Sequence, residues 1–142
     1  QDLNRIQAIE ELCFWLSEVV NHLMTLAFDF GDSRYARSLH RAIAYLRAHL
    51  HEKLTLEKLA AEAFLSPAYF SRMFKKETGK TVQQFIVDER MKKAASLMRR
   101  RELTLLEVAG LVGIRNQSLF NRLFKKKYGL SPGVFRKQFW EE

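Results

Sequence analysis

Two arginines, Arg72 and Arg122, stand at matching places in two similar stretches of this chain. An arginine can donate two hydrogen bonds to guanine O6 and N7, and asparagine or glutamine can pair in the same way with adenine. Small side chains let a helix approach closely and touch a thymine methyl group. The residues with this chemistry that share the outward faces are Ala68, Ser71, Arg72, Gln117, Ser118, Asn121 and Arg122. We predict that they read DNA bases; the alternative is an ordinary solvated helix face.

The two stretches belong to an internal repeat. TLEKLA at residues 55–60 aligns with TLLEVA at 104–109 with an offset of 49, and FSRMFKKETG at 70–79 aligns with FNRLFKKKYG at 120–129 with an offset of 50. One residue is therefore inserted in the second copy, near the start of its second helix. Two copies are too few for a solenoid, so the repeat is a duplicated supersecondary unit.

Each copy is predicted to be a helix-turn-helix. Ala60 and Ala109 supply the small residue that is needed where the two helices cross. Gly113 suits the turn of the second copy, whereas Phe64 at the matching place predicts an ordinary negative φ. The predicted N-caps are Thr55, Ser66, Thr104 and Asn116, and the predicted C-terminal glycines are Gly79 and Gly129. The second helices, at about 67–77 and 117–127, are the predicted recognition helices.

The whole chain is predicted to be all-α, because apolar residues recur with a period of 3.6 and the alternation of strands is absent. Glycine and short polar residues at 29–33 predict a break between a helix at about 3–28 and another at about 35–50. A last short helix beginning near Ser131 is predicted to bury Val134, Phe135 and Phe139. The predicted domains are an amphipathic leader at 1–34 and a double helix-turn-helix domain at 35–142, with its first unit at about 36–80, a long linker helix at about 81–99 and its second unit at about 104–140.

The charge distribution points to a polyanionic partner for the second domain. Residues 1–35 hold two basic and six acidic groups, a net charge of −4, whereas the rest holds 22 basic and 10 acidic groups, a net charge of +12. The predicted phosphate contacts are Thr55, Lys75, Lys76, Lys80, Thr104, Lys125, Lys126 and Lys127. Residues 99–101, all arginine, fit a phosphate contact or a solvated helix end equally well. The rival partners are an anionic membrane surface and an acidic protein.

The leader carries a coiled-coil pattern. Its apolar residues follow the 3-4 spacing of a heptad seam: Ile9, Leu12, Leu16, Val19, Leu23, Leu26 and Phe30. We predict that this helix pairs two chains, or passes a signal from an effector or sensor domain outside this chain. Alternatively it packs on its own domain, since Phe14 and Trp15 widen the apolar face.

Composition and motifs argue against an enzyme. The four histidines show no metal-ligand spacing, and the chain contains no nucleophile-base set and no phosphate-binding glycine loop. We therefore expect no cofactor and no metal. The single cysteine, Cys13, and the absence of a long apolar run predict a cytoplasmic protein that makes no membrane span.

At these residues the chain resembles the DNA-binding domain of the AraC/XylS family of bacterial transcription regulators. The resemblance covers about residues 36–140 and includes LSPAYFSRMFKKETG at 65–79, VGIRNQSLFNRLFKK at 112–126, GLSP at 129–132, and Phe135 with Arg136. It implies a homeodomain-like domain of seven helices whose linker helix holds two helix-turn-helix units. Its recognition helices would enter successive major-groove segments of double-stranded DNA. It also implies an activator that contacts RNA polymerase, and base contacts from the seven residues named above.

Overall fold

The computed structural model describes residues 2–140; within the first helix the side chains of 2–4, 6, 10, 21, 22 and 24–34 lie outside that description. The described residues form seven helices and no strand. The helices are α1 (Asp2–Ala48), α2 (Leu56–Glu62), α3 (Pro67–Thr78), α4 (Val82–Leu97), α5 (Leu105–Leu111), α6 (Gln117–Tyr128) and α7 (Pro132–Trp140). The chain divides into two compact units, residues 1–37 and 38–142.

The predicted break at residues 29–33 is wrong. A single helix, α1, runs through this segment. One glycine inside a helix costs only about 1 kcal/mol relative to alanine, and the segment contains no proline to remove a backbone donor. The polar turn signal was therefore too weak to end the helix.

Residues 38–142 contain two hydrophobic cores, one for each copy of the repeat. The first joins the end of α1 to α2, α3 and the start of α4, with Ala60, Phe70 and Phe74 completely buried. The second joins the rest of α4 to α5, α6 and α7 around Phe120 and Phe124. Each repeat thus has its own helix-turn-helix core, as the sequence predicted, and we call them the first and second subdomains.

Helix α4 belongs to both cores. Its residues Val82 and Ile86 are buried in the first subdomain, and Met91 and Ala94 are buried in the second. The helix begins with a capping box, in which the Thr81 hydroxyl accepts from the Gln84 amide and the Gln84 side chain accepts from the Thr81 amide. The long linker that the sequence predicted therefore connects the subdomains by being part of each.

The turn of the first copy differs from its prediction. Phe64 has a positive φ of 57°, and Gly113, its counterpart, has a φ of 82°. In both turns the residue after this position donates to a carbonyl five residues back: Leu65 to Ala60 and Ile114 to Ala109. This pairing closes a helix end and requires a left-handed residue. The prediction of a negative φ was wrong because the turn's hydrogen bonds set the backbone; the Phe64 ring is 75% exposed.

The predicted inward face of α7 is partly wrong. Val134 and Phe139 are exposed, and the buried residues are Pro132 and Arg136, with Phe135 partly buried. The Arg136 guanidinium donates to the carbonyl oxygens of Arg100 and Leu103, which explains why a charged residue can be buried here. An apolar pattern could not reveal this anchor, because its partners are backbone atoms more than 30 residues away.

Candidate nucleic-acid interface

The two candidate recognition helices, α3 and α6, are built alike. The Ser66 hydroxyl accepts from the Tyr69 amide at the start of α3, and the Asn116 side chain accepts from the Leu119 amide at the start of α6. Both helices end at a glycine in the left-handed conformation, Gly79 with φ 74° and Gly129 with φ 76°. The predicted caps and C-terminal glycines are confirmed. They could be predicted because each depends on hydrogen bonds between residues that are close in the sequence.

The outward face of α3 carries Arg72 and Ala68, both exposed, and Ser71, which is partly buried. The aromatic residues on the opposite face fix the helix in the first core. Among the described residues, Arg72 makes no ion pair and no hydrogen bond through its side chain. Its five guanidinium N–H donors are therefore available to a partner.

The outward face of α6 carries Ser118, Asn121 and Arg122, all exposed. Gln117 is partly buried and donates from Nε2 to Asn121 Oδ1 at 3.2 Å, one turn further along the helix. The Oε1 atom of Gln117 is buried and has no hydrogen-bond partner within residues 2–140. Two of the predicted base-reading side chains are thus held together, while the Arg122 guanidinium forms no ion pair within that range.

The predicted phosphate-contacting lysines fall into two groups. Lys75, Lys76, Lys125 and Lys126 are exposed and form no ion pair with any described residue. They lie in the last turns of α3 and α6, where positive charge also complements the helix dipole.

Lys80 and Lys127 form the second group, because both bind Asp88 of α4. The Lys80 Nζ atom lies 3.0 Å from Asp88 Oδ2, and Lys127 donates to Oδ1 of the same carboxylate. Lys92, one turn along α4, lies 3.4 Å away. The hydrogen bond from Lys127, with those from Lys80 and Lys92, holds the pKa of Asp88 well below its usual range, although burial opposes the shift. These lysines brace α6 and the end of α3 against α4.

The two predicted threonine caps are in place. Thr55 Oγ1 accepts from the Lys58 amide at 3.2 Å, and Thr104 Oγ1 accepts from the Glu107 amide at 3.1 Å. The Glu107 carboxylate in turn accepts from the Thr104 amide at 2.9 Å. A negative side chain therefore already occupies the N-terminus of α5, which makes that terminus a poorer phosphate site than the sequence suggested.

Two of the three arginines at 99–101 lie over aromatic rings. Arg99 is 5.3 Å from the centroid of the Phe139 ring, and Arg101 is 5.5 Å from that of Trp140. These contacts cover the exposed rings of α7 with cationic side chains. They favour a role for both arginines within the second subdomain over a phosphate contact.

Sequence reasoning missed Asp88, Arg90 and Arg136. Arg90 of α4 donates to the carbonyl oxygens of Leu50 and Glu52. Arg136 of α7 likewise donates to two backbone carbonyl oxygens in the loop before α5. The only local signal was the spacing of Asp88 and Lys92, which predicts nothing more than a surface ion pair. The other partners are far apart in the chain.

In the leader, the described part of the predicted seam faces solvent. Ile9, Leu12, Leu16 and Leu23 are exposed, and Val19 is partly buried. The side chains of two further predicted seam residues, Leu26 and Phe30, lie outside the described residues. Phe14 and Trp15 are also exposed, so the apolar surface of this unit extends beyond the seam.

Neither metal binding nor a membrane-crossing helix is supported by the described residues. Across the described residues no three histidine, cysteine, aspartate or glutamate side chains cluster closely enough to hold a metal ion. Nor does any described helix combine the length and apolarity that crossing a bilayer requires.

Known sequences that are similar to this chain belong to DNA-binding regulators. The sequence model of a family described as a helix-turn-helix domain matches residues 59–138. The chain is 40% identical over 101 residues to YobQ of Bacillus subtilis, an uncharacterized HTH-type transcriptional regulator, covering 71% of this chain and 42% of that protein. It is 31% identical over 111 residues to the regulatory protein PocR of Salmonella typhimurium, covering 78% and 37%. The chain thus spans about two fifths of the length of these relatives.

Solved structures agree with this comparison. The DNA-binding domain of AdpA, a global transcriptional factor crystallised with a target DNA, is 32% identical with a TM-score of 0.68, covering 71% of this chain and 91% of that one. The C-terminal domain of AraT, a response regulator from Geobacillus stearothermophilus, is 38% identical with a TM-score of 0.67, covering 71% and 84%.

Proposed function

The chain belongs to the AraC/XylS family of bacterial transcription regulators, and we propose that its two subdomains bind double-stranded DNA together, with α3 and α6 in successive segments of one major groove. The family consists of DNA-binding regulators and not of enzymes. One observation carries the proposal: Arg72 and Arg122 are exposed and free of ion pairs with described residues, on helices that are capped, ended and anchored alike. Reading both segments would place the helices about 34 Å, or ~10 base pairs, apart.

Base reading is proposed to fall on the seven outward residues of α3 and α6. Arg72 and Arg122 have the donors that fit guanine, and Ala68 and Ser118 are small enough for close approach. Asn121 accepts from Gln117 but keeps a second lone pair and its own amide donors, so it retains what adenine requires. The bond between the two side chains restricts their rotamers before DNA arrives, which lowers the entropy cost of binding.

Phosphate binding is proposed for the four lysines without ion pairs to described residues: Lys75, Lys76, Lys125 and Lys126. Each would release counterions from DNA and contribute to a salt-dependent affinity that does not depend on sequence. Lys80 and Lys127 are proposed to serve the fold through Asp88 instead. Thr55 and Thr104 are also proposed to bring their helix ends to the DNA backbone, with the Thr104 end the weaker of the two because the Glu107 carboxylate already occupies it.

Regulation is proposed to need parts outside this chain. YobQ and PocR are each more than twice as long as the segment matched, and AraT carries its related domain at the C-terminus of a response regulator. We propose that an effector or sensor domain acts with this chain, and that the bound protein activates transcription through RNA polymerase. In vitro transcription with the full-length protein and purified polymerase tests this: more transcript from a bound promoter supports activation, and less transcript contradicts it.

The leader is proposed to pair two copies of the chain. Ile9, Leu12, Leu16 and Leu23 present an apolar row at heptad spacing to solvent, which a parallel partner helix would cover. A dimer would place two DNA-binding domains on one operator and strengthen binding, because the first bound domain holds the second close to the DNA.

Selection from a random pool of ~30-base-pair duplexes tests the central proposal. We expect two enriched sequence blocks whose centres lie ~10 base pairs apart. Sedimentation with vesicles of phosphatidylserine and phosphatidylcholine is the control for non-specific polyanion binding. A pool without enrichment, together with equal retention on vesicles, would mean that the chain is a basic module and not a sequence reader.

A further inference from the structure

The two subdomains meet at a small contact around Arg90. The Arg90 side chain of α4 donates from Nε to the Leu50 carbonyl at 3.2 Å and from its terminal nitrogen to the Glu52 carbonyl at 3.0 Å. Both carbonyls belong to the loop before α2, in the first subdomain. Gly113, in the turn of the second helix-turn-helix, lies directly against the same loop. We call Leu50, Glu52, Arg90 and Gly113 the joint.

Gly113 is fitted to this contact in a way that its counterpart is not. A Cβ atom on Gly113 would collide with the Leu50 carbonyl oxygen and lie 3.3 Å from the terminal nitrogen of Arg90. Phe64 has the same left-handed conformation but projects a phenylalanine ring into solvent. The conformation alone therefore does not demand glycine; the close approach of the other subdomain does.

The joint is connected to both recognition helices by short, ordered segments. On one side the loop leads from Glu52 to the Thr55 cap of α2, and α2 packs against α3. On the other side Gly113 stands four residues before Gln117, the first residue of α6. The contact of Gly113 with the Leu50 loop therefore forms a second connection between α3 and α6, in addition to α4, and Arg90 ties the same loop to α4.

We propose that the joint fixes the distance and rotation between α3 and α6, so that Arg90 and Gly113 are positioning residues that set the spacing of the two DNA blocks. A single helix such as α4 can bend and twist, whereas two connections at different points restrain both motions. This inference rests on the proposed function for its DNA consequence. Its mechanical part concerns the protein alone.

A distance measurement without DNA tests the mechanical part. Spin labels at Lys75→Cys and Lys125→Cys, in a Cys13→Ser and Leu16→Glu background that keeps the chain monomeric, report the separation of the exposed ends of α3 and α6 by pulsed electron resonance. We expect one narrow distance distribution in the parent protein and a broader or shifted one in Arg90→Gln. Arg90→Lys, which keeps the charge but has a single nitrogen in place of the two that bind Leu50 and Glu52, is expected to lie between them. Phe64→Ala, at the matching turn, is the control and is expected to change nothing.

A spacing series of DNA tests the consequence. In these duplexes the spacer between the two selected blocks is shortened by one base pair, left unchanged, or lengthened by one or two base pairs. A further duplex carries one block alone. We expect the affinity ratio between the best and the altered spacings to fall about 2- to 30-fold in Arg90→Gln, with the single-block affinity unchanged. A variant that merely loses stability would lower every affinity together, and circular dichroism identifies it. Gly113→Ala is the second variant, used if it folds.

The outcomes separate the two ideas. A narrow, unshifted distance distribution in folded Arg90→Gln would overturn the inference, and so would an unchanged spacing profile in that variant. If the distribution broadens but the parent protein prefers no DNA spacing, the mechanical part of the inference is supported and the proposed mode of DNA binding is the idea that fails.

Discussion

Phe64 and Gly113 occupy the same left-handed place in two homologous turns, yet only Gly113 faces a backbone oxygen of the other subdomain. The Phe64 ring is exposed and has the Arg41 guanidinium 5.0 Å from its centroid. The duplicated turns have therefore come to satisfy different constraints, and the same substitution will not have the same effect in each.

We expect alanine to be tolerated at Phe64 and damaging at Gly113. Phe64→Ala keeps a non-glycine residue in the same conformation and loses one exposed cation–π contact, which costs below about 1 kcal/mol. Gly113→Ala adds about 1–2 kcal/mol for the left-handed backbone and about 1–3 kcal/mol for the collision with Leu50. Urea unfolding followed by far-ultraviolet circular dichroism measures both free energies of unfolding. Equal costs at the two positions would contradict the account of the joint.

We expect Arg72→Ala and Arg122→Ala each to cost about 1–3 kcal/mol of binding free energy and to relax discrimination at one base pair. The reason is the loss of a bidentate contact to a guanine. Competition binding against all point variants of the selected site measures this, with Lys76→Ala as the control that weakens all sequences alike. Unchanged base preference in both arginine variants would remove them from the reading set.

We expect the lysines to differ in the salt dependence of binding. Replacing Lys76 or Lys126 with glutamine lowers the slope of log affinity against log salt by about 1, because one phosphate contact is lost. Lys127→Gln leaves that slope unchanged and lowers the free energy of unfolding by about 1–2 kcal/mol, because Asp88 loses a charged hydrogen bond. Titrations at four salt concentrations, paired with urea unfolding, make the distinction. A slope change in Lys127→Gln would return this lysine to the phosphate contacts.

We expect Asp88 to contribute to stability at neutral pH and to lose that contribution in acid. Its pKa in the folded chain is lowered, first of all by the hydrogen bond from Lys127. The contribution is therefore complete above about pH 4, the ordinary pKa of an unfolded aspartate, and is lost as the pH falls through the lower folded value. At pH 7 Asp88→Asn is expected to lower the free energy of unfolding by about 1–3 kcal/mol.

Urea unfolding of the parent protein and Asp88→Asn between pH 7 and pH 2 measures this effect. The difference between the two proteins should shrink below about pH 4. Glu77→Gln is the control, since that exposed carboxylate has no ion-pair partner among the described residues. A difference that stays constant down to pH 2 would show that Asp88 acts without its charge.

We expect the chain to sediment as a dimer at tens of micromolar and Leu16→Glu to sediment as a monomer. Leu16 is exposed in the middle of the apolar row, and a carboxylate there would be buried unpaired between two helices. Ser17→Glu introduces the same charge one residue away, outside the row, and is the matched control. A monomeric parent protein under these conditions would rule out pairing through the leader.

The features that sequence reasoning predicted correctly are those decided by neighbours in the chain. The caps Ser66 and Asn116 and the terminal glycines Gly79 and Gly129 follow from backbone donors and acceptors within a few residues. Offsets of 49 and 50 also located the inserted residue in the second turn, where Arg115 precedes the Asn116 cap.

The features that it missed depend on distant partners. The amphipathic pattern of α7 predicts that Arg136 lies at the surface, but its hydrogen bonds to two carbonyl oxygens in the loop before α5 hold it buried. Phe64 is the exception: phenylalanine ordinarily avoids positive φ, but here the local hydrogen bond from Leu65 to Ala60 sets the backbone. Lys127 reads like Lys125 and Lys126 until Asp88, 39 residues away, is brought beside it. The base-reading residues stay predictions, since their partner is another molecule.

The division of α4 between two cores also has a thermodynamic consequence. Ile86 and Met91 are five positions apart in one unbroken helix, so melting either core frays the segment that the other core needs. We therefore expect the two subdomains to denature in a single cooperative step. A fragment with only one subdomain is expected to expose the apolar residues of α4 that the other core buries, and to aggregate. The two copies of the repeat share one helix, and we expect neither to fold without the other.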